Sequence, residues 1–269
     1  MDPCFCEIVE GDGPIVATAI HDGHALREEV AVRMALGESD RLREEDPYTG
    51  AWTSLAPTRL AVLRSRFEID LNRPREKSIY LRPEDAWGLA VWNSEPTDGV
   101  IRRSLVSYDA FHATVARILS TLVERFGKFV VFDLHSYNHR RSGPDGPLAD
   151  PTENPQVNIG TGSLDRKRWG AVVDRFISDL RGYDFPGGAL DVRENVKFRG
   201  GSFPAWIHRK FTGTVCVLSV EVKKFFMDEW MGQADVAQKT AVLRALKSTV
   251  WGIYEELVKL EGADQGVPA

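Results

Sequence analysis

Four residues able to bind a metal or move a proton stand directly after apolar, β-branched runs: His21 and His24 after Ile15 to Ile20, His135 after Phe129 to Phe132, and Glu221 after Thr214 to Val220. Imidazole nitrogen is a good zinc donor, and a catalytic zinc keeps three protein ligands and one open position. Two histidines at one strand end and a third from a distant strand meet that need. An ionised carboxylate at the end of a strongly apolar run is costly to bury without a cation, so Glu221 calls for a positive neighbour. Together the four suit metal-assisted hydrolysis, in which a carboxylate moves the proton of water. Each also has a plainer reading. His-x-x-His in a turn is often just hydrogen-bonded or exposed, His135 can be a satisfied histidine at a core edge, and Glu221 can pair with Arg or Lys.

A second constellation is Arg66, Asn72 and Arg73. A guanidinium grips a carboxylate with two parallel hydrogen bonds, and a nearby amide adds a donor, which suits an acidic substrate. The competing reading pairs Arg66 and Arg73 with Glu68, Asp70 or Glu76. Tyr137 and Arg140, just beyond the His135 strand, are further candidates to touch substrate, and His139 in the same basic stretch is either a substrate contact or solvated. His112, on a helical stripe, and His208, after Trp206-Ile207, read as structural or surface residues.

The elements that must position these groups follow from periodicity. Short apolar runs at 15–20, 60–63, 129–132 and 214–220 read as buried strands. Phe111, Val115, Ile118, Leu119, Leu122 and Phe126 make a helical stripe within 107–126, stopped by Gly127. The same period recurs over 166–180 and from Val242 to Leu257, before a polar tail expected to fray. The alternation in 66–74 suggests an extended segment ended by Pro74. The Gly-, Pro-, Asn- and Asp-rich stretch 140–162 predicts a long loop near the site, and 192–206 an irregular segment. This is an α/β pattern, and in such sheets ligands gather at the carboxyl ends of the strands, where the candidates lie.

Composition limits the rest. With 269 residues and 43% hydrophobic content the expectation is one domain over 1–269. A formal charge of -5 and scattered basic residues give no nucleic-acid footprint. No apolar stretch is long enough for a membrane span, and the first residues lack the features of a signal peptide. Three cysteines, with Cys4 and Cys6 too close for an ordinary bridge, suggest a reducing compartment, so a cytoplasmic protein is expected. Oligomeric state is not legible.

Several motifs resemble a known family. Phe132-Asp133-Leu134-His135-Ser136-Tyr137 is similar to the third-ligand segment of zinc carboxypeptidases, and Asp70-Leu71-Asn72-Arg73 to a motif of aspartoacylase and succinylglutamate desuccinylase relatives. With the whole of 66–74, the segment 195–201, Ser219-Val220-Glu221 and Phe226-Met227-Asp228-Glu229, the order resembles the N-formylglutamate amidohydrolase family from about residue 15 to 230. The resemblance implies a carboxypeptidase-like three-layer α/β/α fold with a mixed central sheet, one catalytic Zn2+, and hydrolysis of a small acidic N-acyl amino acid, N-formyl-L-glutamate or a close analogue. It implies His21 and His135 as metal ligands, Glu221 as the catalytic carboxylate, Arg66 at the oxyanion or a second carboxylate, and Asn72 with Arg73 on the substrate. In the carboxypeptidase pattern a Glu stands three residues after the first histidine. Here that place is His24, which is the expected middle ligand, with Glu68 and then Asp46 as alternates. A hydrolase of peptides or cell-wall fragments and a non-catalytic binder of an acidic ligand are the competing functions.

Overall fold

The computed structural model describes residues 5–265, and Cys4 lies outside them. Seven strands form one sheet: β1 (Cys6–Val9), β2 (Ile15–Ala19), β3 (Thr58–Val62), β4 (Phe129–Tyr137), β5 (Val157–Gly160), β6 (Val192–Glu194) and β7 (Val215–Lys223), in the order β1-β3-β2-β4-β7-β5-β6. Strands β3, β2, β4 and β7 run parallel, while β1 and β5 join them antiparallel and β6 follows β5. The sheet is therefore mixed. Its centre is covered on both faces, which is why β2 and β4 read as continuous apolar runs and are buried at every residue.

The helices are α1 (Glu28–Ala31), α2 (Glu38–Glu44), α3 (Thr49–Trp52), α4 (Asp98–Phe126), α5 (Arg166–Gly182), α6 (Ser202–Lys210), α7 (Val236–Ser248) and α8 (Val250–Gln265). Val130, Phe132 and Leu134 of β4 and Cys216, Leu218 and Val220 of β7 pack against Trp169, Val173 and Phe176 of α5 and against Val242, Leu246, Ile253 and Leu257 of α7 and α8. The alternate residues Phe129, Val131, Val215 and Val217 pack against Phe111, Val115 and Leu119 of α4 and Phe203 and Ile207 of α6. Helices thus cover both faces, and the three-layer α/β/α expectation holds. Cys6 and Cys216 are buried free thiols.

The structure corrects several boundaries. Helix α4 starts at Asp98, because the Thr97 side chain accepts from the Val100 N–H and caps it. The 66–74 segment is a series of turns: Glu68 N–H bonds Ser65 O at 3.0 Å and Asp70 N–H bonds Ser78 O at 2.7 Å. Its alternation arises because both sides are buried, Phe67, Ile69 and Leu71 in apolar packing and Glu68 and Asp70 against cations. The loop after β4 ends at β5, and the 192–206 segment holds β6 and the start of α6. The C-terminal run divides at Thr249, and the tail expected to fray is helical through Gln265.

The period of two also prepares the site. On the face that α4 and α6 cover, the inward residues turn polar toward the carboxyl ends of the central strands: Thr18 on β2, Asp133 and His135 on β4, Ser219 and Glu221 on β7.

Candidate active site

A cavity of about 660 Å³ opens at this polar edge. His21, in the turn after β2, and His135, near the end of β4, meet with ring centroids 4.9 Å apart. Asp46, in the segment between α2 and α3, is fastened beside His21 by its backbone N–H, which donates to His21 O at 2.9 Å. Asp46 Oδ2 lies 3.0 Å from His135 Nδ1 and 3.3 Å from His21 Nδ1. The three are buried and offer donor atoms within 4.8 Å of one another.

Each imidazole is held from behind by its own carboxylate. His21 Nε2 meets Asp70 Oδ1 at 2.8 Å, and His135 Nε2 meets Asp133 Oδ2 at 3.0 Å, with Asp133 Oδ1 accepting from Thr18 Oγ1 at 3.0 Å. A carboxylate on one ring nitrogen fixes the ring's direction and makes the other a better donor to a metal, which leaves both Nδ1 atoms turned to Asp46. His21 Nδ1 is buried without a hydrogen-bond partner among the described residues. An unmet polar atom there costs stability unless something fills the gap, and a divalent cation fits two Nδ1 atoms and a carboxylate.

The charges agree. Burial alone would raise the Asp46 carboxyl, but the hydrogen bond from His135 and the adjacent His21 imidazole hold it well below its ordinary range. Burial disfavours charge on His135, yet the charges of Asp133 and Glu221 raise its pKa well above the usual value. Glu221 sits beside His135 in register on β7. Burial pushes its carboxyl up to about 7, against the lowering effect of His135.

His24 is not part of the group. Its Nδ1 bonds the buried Glu45 at 2.5 Å and its Nε2 faces Arg41 at 3.2 Å, because the sharp turn after β2 sends it toward α2. Glu68 is also elsewhere, accepting from Arg27 N and Nε at 2.8 and 2.7 Å. Of the two alternates to His24, it is Asp46 that the fold brings between the histidines.

The second constellation reaches the same cavity. Arg66 donates to Asp70 Oδ2 at 2.8 Å, so the pairing alternative holds for it, and it also lies over the Trp87 ring at 4.9 Å. Arg73 is looser, 3.8 Å from Asp70. Asn72 lines the cavity while its Oδ1 accepts from Phe203 N–H at 3.0 Å, seating the start of α6. Tyr137 lines it with its hydroxyl donated to Pro155 O. Arg140 does not line it: its side chain turns back to Pro144 O at 2.8 Å, and Arg141 lines the cavity instead. His139 bonds Glu229, His112 stacks on Tyr108, and His208 accepts from Val217 N–H, so none of the three reaches the group.

Sequence reading passed over several residues. Asp133 was legible, since Asp-x-His on a strand puts both side chains on one face. Lys224 gave no local signal: it is buried, lines the cavity, donates to Glu45 O at 2.7 Å, and burial lowers its ammonium to about 8. Asn158 faces Glu221 across β5 and β7 and accepts from Lys197 N–H at 2.9 Å, tying the 196–201 loop to the cavity.

With that geometry in hand, comparison with known families matches residues 13–226 to the N-formylglutamate amidohydrolase model, a span that contains the whole His21, Asp46, His135 and Glu221 group. The chain belongs to the N-formylglutamate amidohydrolase family. Its fold is similar to that of a crystallised N-formylglutamate amidohydrolase from Ralstonia eutropha JMP134 (TM-score 0.72, 18% identity, covering 98% of this chain and 100% of that one). A gene product from Agrobacterium tumefaciens is also similar (TM-score 0.62, 18% identity, covering 93% of this chain and 96% of that one). Among curated proteins none matches significantly. As a member of the N-formylglutamate amidohydrolase family, the chain is a hydrolase by descent, and its C-terminal helices α7 and α8 lie beyond the matched span.

Proposed function

We propose that this protein hydrolyses the amide bond of a small acidic N-acyl amino acid, N-formyl-L-glutamate or a close analogue, with a zinc ion held by His21, Asp46 and His135 and with Glu221 as general base. The observation that carries this reading is the pair of buried imidazoles, each braced by a carboxylate and each turning Nδ1 to the same Asp46 oxygen. When bound, such an ion supplies Lewis-acid polarisation of a carbonyl and makes water acidic near neutral pH.

The chain's own groups do the rest. Glu221, with its pKa near 7, takes the proton of the attacking water and passes it to the departing amine nitrogen. Arg73, half-exposed and loosely paired, binds a substrate carboxylate with Asn72. Arg66, locked by Asp70 and stacked on Trp87, offers fixed positive charge to an oxyanion. Lys224 donates to Arg43 O and Glu45 O and so anchors the backbone just before Asp46. The departure from a carboxylate three residues after His21 does not weigh against catalysis, because Asp46 supplies a carboxylate from another segment. No helix among the described residues is long and apolar enough to cross a membrane. We place the reaction in the cytoplasm, in keeping with two buried free thiols.

The test is release of the free amino acid by the zinc-loaded protein. Glu221→Gln is expected to lower kcat by about 10²–10⁴-fold, whereas Arg73→Ala is expected to act mainly on KM. Full activity in Glu221→Gln contradicts the assignment.

A further inference from the structure

The turn that carries His21 and the segment that carries Asp46 are joined a second time, away from the ligand atoms. Glu45, immediately before Asp46, has no solvent exposure. One of its carboxylate oxygens accepts from Ser65 Oγ, and the other lies 2.5 Å from His24 Nδ1. An ionised carboxylate can only accept, so His24 Nδ1 carries the proton and donates it. Arg41 stands 3.6 Å from Glu45 and holds the histidine from its other side, donating to His24 O at 2.9 Å and reaching Nε2 at 3.2 Å. A carboxylate buried this deeply costs stability unless its oxygens are bonded, and here both are.

The residues that receive Glu45 are themselves fixed through the backbone. A Cβ on Gly23 would lie 2.1 Å from the Leu63 carbonyl carbon, so the turn after β2 lies directly against the stretch that follows β3. Ala25 N–H donates to Leu63 O at 3.0 Å, and Ser65 N–H donates to Ala25 O at 2.9 Å. His24 therefore sits between two residues seated on that stretch, and Ser65 belongs to it. Lys224, just after β7, holds the chain before Asp46 at Arg43 O and Glu45 O, while the Glu45 carboxylate holds it to the turn after β2 and to Ser65. Asp46 is thus gripped on its amino side by a side chain as well as by backbone bonds.

We infer that His24 is a positioning residue for the metal site: through Glu45 it fixes Asp46 relative to His21, so that the His-Asp-His group is set for one ion before the ion arrives. This rests on the zinc reading above and extends it to a residue that touches neither metal nor substrate. A site held in its binding geometry loses less freedom when it is filled, so loosening the hold weakens the metal.

Zinc affinity, read by competition with a chelator, is compared with denaturant unfolding of the metal-free protein. His24 is partly exposed, so its truncation opens no closed cavity. His24→Ala is expected to take up one zinc per chain but to bind it about tenfold more weakly. His24→Asn, whose amide can donate to Glu45 in place of Nδ1–H, should recover most of that affinity. Ser65→Ala frees the other Glu45 oxygen and should weaken zinc in the same direction. Wild-type zinc affinity in His24→Ala, with a lowered unfolding midpoint as the sole effect, overturns the inference, because a group that merely supports the fold behaves that way. Equal weakening in His24→Asn and His24→Ala overturns it too. Asp46→Ala is measured alongside. Wild-type affinity there removes the ligand assignment and this inference with it, while loss in Asp46→Ala together with wild-type affinity in His24→Ala removes only this one.

Discussion

At the scale of single residues, Glu221 does two things that pull against each other. Its seat at the end of an apolar strand raises its pKa to about 7, yet the role of base proposed for it requires it to be ionised. The rate kcat/KM is therefore expected to rise with pH along an acid limb whose midpoint lies at or below about 7, since a bound cation favours the carboxylate. For the metal-free protein the sign on stability is opposite. The folded-state value exceeds the ordinary 4.5, so this group's contribution is fully present below about 4.5 and is lost as pH rises toward 7. Thermal unfolding across pH 4 to 8, compared between wild type and Glu221→Gln, reads this difference. The bracing carboxylates behave otherwise: Asp133→Asn keeps the shape but weakens the hold on His135, and zinc affinity is expected to fall about 10–100-fold with little loss of fold, as a chelator competition would record. An unchanged affinity would make Asp133 only a core group.

At the scale of elements, the site depends on close backbone approaches that side chains would block. A Cβ on Gly160 of β5 would lie 2.5 Å from the Gly200 backbone nitrogen, so the 196–201 loop can cross there only over glycine. Gly160→Ala is expected to destabilise the protein by about 1–3 kcal/mol and to raise KM by displacing Lys197 and Arg199, both measurable by denaturant unfolding and steady-state kinetics. Wild-type KM in a destabilised variant would show that the loop does not position substrate. The same scale explains what sequence could and could not show. Strands β2, β4 and β7 and helices α4 and α5 were legible because burial on one stripe or on both faces writes itself as a period or a run. The 66–74 turns were not, since Glu68 and Asp70 mimic a solvent face while packing on buried cations. Asp46 is the sharpest case. It follows a short helix, and the hydrogen bond from its N–H to His21 O, with the Lys224 bonds to Arg43 O and Glu45 O just before it, brings it to the histidines through long-range contacts that no local pattern records. His24 occupies the place where the carboxypeptidase pattern has its ligand, but the turn turns it to Glu45.

Over the whole molecule, a metal held by His21, Asp46 and His135 as proposed would tie together parts of the chain distant in sequence. A ligand that binds only the folded state stabilises it by RT ln(1 + [L]/Kd), about 4 kcal/mol at a thousandfold excess over Kd. Chelation is therefore expected to lower Tm as well as abolish hydrolysis, with zinc restoring both. Loss of activity without any change in Tm would place the metal outside this cluster. The central claim is the identity of the ligands, and zinc content per chain after dialysis tests it most directly in three proteins: wild type, His24→Ala and Asp46→Ala. One zinc per chain is expected in wild type and His24→Ala, with loss in Asp46→Ala. Zinc retained by Asp46→Ala and lost from His24→Ala would contradict it.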